Sequence, residues 1–489
     1  MVSAYTRQQL WHACAMFEAE DSGPQLQWIV SDRVLVRAGA AEQALAIGVR
    51  GARIVALAPA AEVRTSGAVS ITDFRRRPLL PAFVNGHVHL AMAPLRGITS
   101  RSRRRGNVVT DVFFRIEQHL TAPDVFAFAR LAAFESLLFG VGEVWDHYYF
   151  GQQVARALAE VGLSGVVAPT LQDVGGPFAG GSEEQLIATR LIHQDSFLSA
   201  RGVRAAVGPH ASDTVSDRLF EQAAHLAHEL DIPVHLHLAQ SAQEMSVEQH
   251  VGRAGFVAQR VGDWLQGCRV VMAHGLFFSK ADLARLVAAR WTLAFCPLSQ
   301  VQFGFLSPVQ QWLDLGGLLA VGTDCVASND ALSVQRELPW LGAQAALATS
   351  FGEERRALLE LGSGARLAQL EESRTRAQGA TIVEGVELLA VGLGEGLPDP
   401  FSGRLEVGAL ANIQVLEADA PELFPDGDLA RRLAYGETSG ALHALIVAGR
   451  MVGEAGAFRA SLIQSAHYRE ALDEAKRRRV ELLARAGID

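Results

Sequence analysis

Apolar and polar residues alternate along the middle of the chain in a way that predicts strands and helices in turn. Between about residues 80 and 396, short apolar runs are separated by stretches whose apolar residues recur at i, i+3 and i+4, as in amphipathic helices. The strand candidates, in order, are LLPAFVNGHVHL, GVGEVWDHYY, GVVAPTL, VRAAVGPH, IPVHLHL, CRVVMAHG, WTLAFCPL and GLLAVGTD. This alternation predicts an α/β fold, a parallel (β/α)8 barrel of the TIM type. A doubly wound open sheet is the competing arrangement, but no G-x-G-x-x-G follows the first strand.

The segments on either side of the barrel region differ from it in sequence: they contain short predicted strands separated by turn residues. Residues 27–79 and 397–460 contain short β-type runs such as ALAIGVRGARIVALA and ALIVAGRMVGE, separated by turn residues. Because the two segments resemble each other and flank the barrel, we expect one small β-sandwich domain built from both chain ends. Residues 1–26 are expected to form a helical N-terminal extension, residues 80–396 the barrel, and residues 461–489 a C-terminal helix.

Composition narrows the functional class. The chain is 49% hydrophobic and 20% charged, with a net charge of −9, which argues against nucleic acid as the main partner. We find no basic leader followed by an apolar segment, and no uncharged apolar run of the ~18 residues that a membrane span needs. The 4 cysteines are scattered, which favours a reducing compartment. We therefore expect a cytoplasmic protein that acts on a small molecule, without a nucleic-acid or membrane partner.

Residues able to bind a metal ion lie at the ends of several predicted strands. His87 and His89 form an H-x-H pair, and residues two apart in a strand point to the same side. His237, His274 and Asp324 end three later strand candidates. Barrel enzymes carry their chemistry at the carboxyl ends of their strands, and imidazole with carboxylate suits Zn²⁺ or Fe²⁺. Five unrelated polar residues are the alternative, but their position at one face favours a metal site.

These motifs resemble those of a known superfamily. PAFVNGHVHLAMAPLRG, HLHLAQ, AHG and VGTDCVASND occur in the order typical of the amidohydrolase superfamily, and the resemblance extends from about residue 27 to 455. It is strongest to the aminohydrolase and chlorohydrolase branch, which includes adenosylhomocysteine, guanine, 8-oxoguanine and pterin deaminases and the triazine hydrolases. SGRLEVGALANIQVL, near the C-terminus, departs from the family pattern with Asn412 where an aspartate is more usual.

The resemblance implies one divalent metal ion, Zn²⁺ in preference to Fe²⁺, held by His87, His89, His237 and Asp324. It also implies that Asp324 is the general base and that His274 polarises the attacked group. Binuclear members use a carboxylated lysine on the fourth strand, but the two lysines, Lys280 and Lys476, lie elsewhere. The implied function is metal-dependent hydrolysis of a C–N bond in an N-heterocyclic small molecule, a deaminase-type reaction. A homodimer is implied by the same resemblance.

Four further residues are candidates for contact with the substrate. His210 lies in GPHASDTVS, which resembles the family segment G-P-H-A-P-Y-T-x-S, and Glu117 lies in FRIEQHLT, which resembles a stretch of nucleoside deaminases whose acid reaches the substrate. His147 resembles part of a D-H pair in the branch acting on oxidised purines and pterins, and Trp145 could stack on a flat ring. A solvated helix residue is the alternative for Glu117, and ordinary packing is the alternative for the aromatic residue.

Gln240 is the departure with the largest mechanistic consequence. In the branch, H-x-H-x-x-E supplies a glutamate that transfers a proton to a ring nitrogen, whereas this chain reads VHLHLAQ. An amide can form hydrogen bonds in the site but cannot deliver a proton near neutral pH. General acid catalysis typically raises the rate ~10²–10⁴-fold, so the loss of the acid favours substrates that need no ring protonation. Glu244 could substitute if its segment is helical.

The sequence is therefore consistent with three hypotheses for the function. The first is the deaminase-type reaction, with Asp324, His274 and Gln240 as the catalytic candidates. The second is hydrolysis of a cyclic amide, such as a lactam or imidazolone, or displacement of chloride from a heteroaromatic ring. The third is a barrel used only for binding, which is disfavoured because every expected metal ligand is present.

Overall fold

In a computed structural model of the chain, the described residues are 25–68, 70–98, 107–250, 257–305, 308–350, 366, 369, 385–425 and 427–488. The predicted N-terminal extension, except for residues 25 and 26, lies outside the described residues.

The middle of the chain forms two parallel sheets, which confirms the prediction of an α/β fold with parallel strands. The first contains Phe83–Val88, Val141–Tyr148, Ser164–Leu171, Val203–Ala205 and Gly208–Pro209. The second contains Val234–Leu238, Val270–His274, Thr292–Phe295 and Leu318–Val321. Isolated parallel bridges join Val88 to Asp324 and Val207 to Val234, each between the two sheets. All the strand candidates are present, but the first begins in a separate strand, Pro78–Pro81, that pairs elsewhere, and the fourth is divided in two.

The sequence of these strands explains their burial. Every residue of Val141–Tyr148 and Ser164–Leu171 is buried, as expected for parallel strands covered on both faces. The helix Gly151–Val161 between them is amphipathic, and it ends at Gly162, whose φ of 85° is the left-handed conformation that glycine favours. Similar strand–helix units therefore bring the carboxyl ends of the strands to one side of the molecule.

Helices connect the strands and continue beyond them. The α-helices are Ala60–Thr65, Phe114–Glu117, Ala122–Leu138, Gly151–Val161, Ser182–Gln194, Ser196–Ser199, Asp217–Leu230, Ala242–His250, Val257–Trp264, Lys280–Ala288, Pro297–Phe303, Val309–Asp314, Val326–Asn329, Val334–Ser350, Gly385–Gly392, Leu429–Tyr435, Phe458–Gln464 and Ala466–Arg485. Leu90–Leu95, Pro421–Leu423 and Ser439–Ala441 are 3₁₀-helices, and Val109–Phe113 is a π-helix. None of the helices in the described ranges is long and apolar enough to cross a membrane.

Both ends of the chain contribute to a third, mixed sheet. Its strands are Gln27–Val34, Gln43–Arg50, Arg53–Pro59, Ile71–Asp73, Pro78–Pro81, Ile413–Leu416, Leu442–Val447 and Arg450–Val452. Pro78–Pro81 pairs with Gln27–Val34 on one side and with Ile413–Leu416 on the other, which joins the two ends of the chain. The composite origin of this sheet is therefore visible, whereas a two-layered sandwich stays a prediction.

Asn412, the departure from the family pattern, connects the mixed sheet with the barrel region. Its Nδ2 donates to Ser164 Oγ at 2.8 Å, and its Oδ1 accepts from the backbone N–H of Ala448 at 2.8 Å. Because the Ser164 hydroxyl already donates to the carbonyl oxygen of Gly142, it needs a donor here, and the amide supplies one while also accepting from Ala448.

The C-terminal region is divided into two helices rather than one. The first, Phe458–Gln464, ends before Ser465, whose hydroxyl accepts from the N–H of Tyr468 and caps the helix Ala466–Arg485. Arg478 and Arg485 of the second helix contact the buried Asp124 at 3.2 and 2.5 Å. The cap and these ion pairs dock the C-terminus on the barrel region.

Candidate metal centre and active-site cavity

The predicted metal ligands come together at the carboxyl ends of the parallel strands. His89 Nε2 lies 3.4 Å from Asp324 Oδ1 and 3.2 Å from His237 Nε2, and His87 Nε2 lies 3.9 Å from Asp324 Oδ1. The ligand atoms of three overlapping groups lie within 4.8 Å of one another: His87 with His237 and His274, His89 with His147 and His237, and His87 with His89 and Asp324. The structure thus gathers residues that are far apart in sequence.

Hydrogen bonds to the Nδ1 atoms orient the histidine rings. His89 Nδ1 lies 2.5 Å from the carbonyl oxygen of His147, and His237 Nδ1 lies 3.0 Å from that of His210. Because a carbonyl oxygen only accepts, these Nδ1 atoms carry the proton and each Nε2 presents its lone pair. His87 Nδ1 lies 2.9 Å from Nε2 of the buried His235, which orients the third ring in the same way.

Nε2 of His87 can present a lone pair to a metal ion. Among the described residues, Nε2 of His87, His147 and His274 is buried without a hydrogen-bond partner. Burial, with repulsion from the neighbouring imidazoles, holds the pKa of His87 and of His237 well below the usual value. Neutral imidazoles are the form that binds a metal ion, so the donor set fits a divalent cation.

Asp324 is held by one oxygen and presents the other. Ser299 Oγ donates to Asp324 Oδ2 at 2.7 Å, and Ser328 Oγ donates to the same oxygen at 3.3 Å. Oδ1 is the oxygen that faces His87 and His89. The backbone of Asp324 has a φ of 57°, a conformation that is uncommon outside glycine and recurs at functional sites.

His274 is oriented as a hydrogen-bond donor. Gln300 Nε2 donates to His274 Nδ1 at 2.9 Å, which leaves the ring proton on the buried Nε2. Burial lowers the pKa of His274 to about 4, so the ring is neutral. A neutral imidazole with an N–H directed into the site can polarise a substrate atom.

A cavity of about 390 Å³ opens onto this centre. His89, His237 and Asp324 lie in its wall, and so do four residues that the sequence placed near the substrate: Glu117, His147, His210 and Gln240. Tyr148 and Tyr149 line the same cavity and supply aromatic surface. The site therefore combines a ligand set with a pocket large enough for a small heterocycle.

The side chains of His147 and His210 are fixed by neighbouring threonines. His147 Nδ1 lies 3.1 Å from Thr170 Oγ1, and His210 Nδ1 lies 2.8 Å from Thr214 Oγ1. Burial lowers the pKa of His210 to about 3, so it meets a ligand as a neutral ring. Both rings are thus held in place before a ligand enters.

Glu117 is buried and is not a solvated helix residue. Its carboxyl group accepts a hydrogen bond from Tyr148 Oη at 2.6 Å, and only 4% of the residue is exposed. Burial raises the pKa of Glu117 to about 7, against the opposing effect of the Tyr148 hydroxyl. The carboxyl group therefore keeps its proton to a higher pH than a solvent-exposed glutamate does.

Trp145 is the predicted site residue that the structure places away from the cavity. Like His87 and His274, it is not among the described residues that line the cavity; its indole is fully buried, donates to Glu143 Oε1 at 3.2 Å, and packs with Val84, Val166 and other interior residues. Trp145 faces the same side of its strand as His147, but it lies two residues deeper, so its ring fills the space beneath the site. The expected stacking surface is provided instead by Tyr148 and Tyr149.

Several residues of the site carry only a weak signal in the sequence. His235 precedes His237 by two residues, so strand alternation places both on one face, but only the structure shows that His235 contacts His87. Ser299 and Gln300 lie in CPLSQ after a predicted strand, and only their position at the strand end pointed to the site. Glu244 and Asp213 line the cavity next to the residues that aligned with family motifs.

Sequence comparison matches the chain to a known family. The model of the Amidohydrolase family matches residues 79–357, which is more than half of the chain. A 5-methylthioadenosine/S-adenosylhomocysteine deaminase from Haloarcula marismortui is 31% identical over 363 residues, covering 73% of this chain and 77% of that protein. The family matched by sequence is therefore the one that the motifs resemble.

Solved structures share the fold. An adenosine deaminase from Xanthomonas campestris with bound zinc superposes with a TM-score of 0.73 at 21% identity, covering 94% of this chain and 100% of that chain. An atrazine chlorohydrolase from Arthrobacter aurescens complexed with zinc gives a TM-score of 0.68 at 19% identity, with 93% and 100% coverage. At these identities the likeness is one of fold, which implies a TIM-barrel architecture.

Proposed function

Because the chain belongs to the amidohydrolase family, we propose that it is a metal-dependent hydrolase that releases ammonia from an aminated N-heterocycle. The observation that carries this proposal is that His87, His89, His237 and Asp324 belong to overlapping groups of close ligand atoms, and that three of them, His89, His237 and Asp324, line a cavity. The deaminase relative supports the reaction type and favours it over hydrolysis of a cyclic amide. The complete ligand set weighs against a barrel used only for binding.

The architecture proposed for this function is a closed (β/α)8 barrel with a composite β-sandwich domain. The bridges between Val88 and Asp324 and between Val207 and Val234 support closure of the two parallel sheets. We propose residues 80–396 as the barrel, and residues 27–79 with 397–460 as the composite domain. A cytoplasmic homodimer is proposed from the family resemblance and the scattered cysteines.

The proposed cofactor is one zinc ion held by His87, His89, His237 and Asp324. Such an ion supplies Lewis acidity and activates a water molecule for attack. The relatives with bound zinc support zinc over iron. His147, whose Nε2 is also unpartnered, is proposed to face the substrate and not the metal ion.

Each residue of the site has a proposed role in the reaction. Asp324 takes the proton of the attacking water and passes it to the leaving amine, while Ser299 holds its other oxygen. His274 donates from Nε2 to the substrate atom on which negative charge develops. His210, His147 and Glu117 contact the heterocycle from the cavity wall, and Tyr148 and Tyr149 pack against its face.

The test is ammonia release by the full-length protein loaded with zinc. Aminopurines, aminopyrimidines, aminotriazines, oxidised purines and pterins are supplied in turn, and metal content is measured on the same sample. Release from at least one compound, with one zinc per chain, is the expected result. Silence across the panel with one metal bound would exclude deamination and leave cyclic-amide hydrolysis or chloride displacement, the two reactions that need no ring protonation.

A further inference from the structure

Deamination of an aromatic heterocycle needs a proton on a ring nitrogen while water attacks the adjacent carbon. Gln240 occupies the position that follows the ligand His237 and lines the cavity, but its amide has no proton to give near neutral pH. Both oxygens of Asp324 already have partners: Oδ1 faces His89 among the proposed metal ligands, and Oδ2 accepts from Ser299. The proposed reaction therefore requires another acid in the same wall of the cavity.

Glu244 lies next to Gln240 in that wall. Its carboxyl group accepts from the backbone N–H of Gln240 at 2.8 Å and from that of Ala239 at 3.1 Å, and Ser212 Oγ donates to it at 2.7 Å. Glu244 lines the cavity, although only 2% of the residue is exposed. The start of the helix Ala242–His250 thus returns a carboxyl group to the place from which the acid at position 240 is missing.

We propose that Glu244 is the catalytic acid that protonates the substrate ring in place of residue 240. This assignment rests on the proposed deaminase function. The O–H bond of Glu244 breaks as the ring N–H bond forms and water adds to the carbon that bears the amino group. When the C–N bond breaks, Asp324 gives the first water proton to the amine, which leaves as ammonia. The hydroxyl proton of the adduct returns to Glu244, and the product keeps the ring N–H and a carbonyl group.

The surroundings of Glu244 keep a proton available for this step. Burial, with repulsion from the half-buried Asp213, raises the pKa of Glu244 to about 7, against the hydrogen bonds from Ser212, Gln240 and Ala239. On a neighbouring helix, Arg260 donates to the carbonyl oxygen of Ser212 and pairs with Asp217 at 2.7 Å. Oε1 accepts from both Ala239 and Ser212, whereas Oε2 accepts only from Gln240 and keeps a lone pair that can carry the proton.

Glu244 also supports the backbone turn that follows the strand of His237. Ala239 has a φ of 52°, and the carboxyl group of Glu244 bonds to the N–H of this residue and of the next. The test must therefore separate loss of the acid from loss of the turn. Glu244→Gln keeps the shape and one acceptor oxygen, and Gln240→Glu places an acid at the position that the family uses.

The experiment measures kcat, KM and their pH profiles for zinc-loaded wild type, E244Q, Q240E and the double variant Q240E/E244Q. The substrate is the aminated heterocycle that the wild type turns over fastest. We expect E244Q to lower kcat by ~10²–10⁴-fold and to remove the alkaline limb of its pH profile, with little change in KM. The double variant should recover most of that loss, because it has an acid again but no restored bond to the turn. Glu183→Gln, on an exposed face of the helix Ser182–Gln194, is the matched control.

Three outcomes would overturn the proposal. E244Q could keep the kcat and alkaline limb of the wild type, or lose kcat without recovery in the double variant. Q240E alone could raise kcat by the factor expected for a new acid, which would mean that the wild type has no working donor. This last variant decides the matter even if E244Q does not fold. Silence of the wild type on every aminated compound would instead refute the deaminase function itself.

Discussion

Asp324 and His87 meet twice, once through the backbone and once through the side chains. The N–H of Asp324 donates to the carbonyl oxygen of His87 at 3.0 Å, and Asp324 Oδ1 lies 3.9 Å from His87 Nε2. His87 lies in the first parallel strand of the barrel region and Asp324 follows the last, so the contact between the two sheets also brings two proposed metal ligands together. We therefore expect metal binding to depend on this contact.

Asp324→Asn should abolish turnover without unfolding the protein. An amide cannot take the proton of the attacking water, so kcat should fall by at least ~10²–10⁴-fold. Ser299 and Ser328 can still bond to the side-chain oxygen, so far-UV circular dichroism should be unchanged. Ammonia release by zinc-loaded protein is the measurement, and an unaltered kcat would show that another residue is the base.

His274→Ala and His237→Ala should separate catalysis from metal binding. His274 is proposed to donate to the substrate and not to bind the metal, so H274A should keep one zinc per chain and lose turnover. His237 is a proposed metal ligand whose Nδ1 is held by a carbonyl oxygen, so H237A should lose zinc. Metal content by atomic emission after dialysis distinguishes the two. Equal loss of zinc in both variants would place His274 among the ligands.

His235→Phe should weaken metal binding although His235 is not a ligand. Removal of its Nε2 leaves the ring of His87 without its partner at 2.9 Å, and such losses typically lower metal affinity ~10–100-fold. Competition with a chromophoric chelator measures the change. His225→Ala, at an exposed helix position with a side chain 81% exposed, is the control. Wild-type affinity in H235F would indicate that His235 only fills space.

Glu117→Gln should stabilise the protein at alkaline pH more than at acidic pH. Burial raises the pKa of Glu117 from 4.5 to about 7, so the folded protein holds a proton that the unfolded chain releases between these values. The wild type therefore loses stability as pH rises from about 4.5 to 7, by up to roughly 3 kcal/mol, and the variant does not. Urea unfolding at pH 4.5 and pH 8 measures the difference; equal effects at both pH values would refute the assignment.

Removal of the metal ion should destabilise the folded state and abolish activity together. A ligand that binds the native state and not the unfolded chain stabilises it by mass action. Dialysis against a chelator should lower Tm and stop ammonia release, and zinc should restore both. Iron in place of zinc tests the choice of metal in the same assay. A Tm that does not respond to chelation would argue against a resident metal ion.

Much of this site could be predicted from local patterns. Strand alternation places His87 and His89 on one face, and the order of strands and helices puts His237, His274 and Asp324 at the same ends of parallel strands. These are properties of short segments, so they can be predicted from the sequence alone. The consequence of the amide at position 240 can also be predicted from the sequence, because an amide and an acid differ in chemistry wherever they lie.

The burial of each side chain, its hydrogen-bond partners and its pKa shift depend on the tertiary structure. Trp145 and His147 share a face of one strand, yet only the packing around them decides that the indole fills the interior and the imidazole reaches the cavity. Glu117 is buried in the structure, where its carboxyl group accepts from Tyr148, 31 residues away. Glu244 acquires its setting from Ser212 on another segment and from a turn at Ala239. Spacing along the chain determines which way a side chain points, whereas the contacts that bury it and shift its pKa come from residues brought together only by folding.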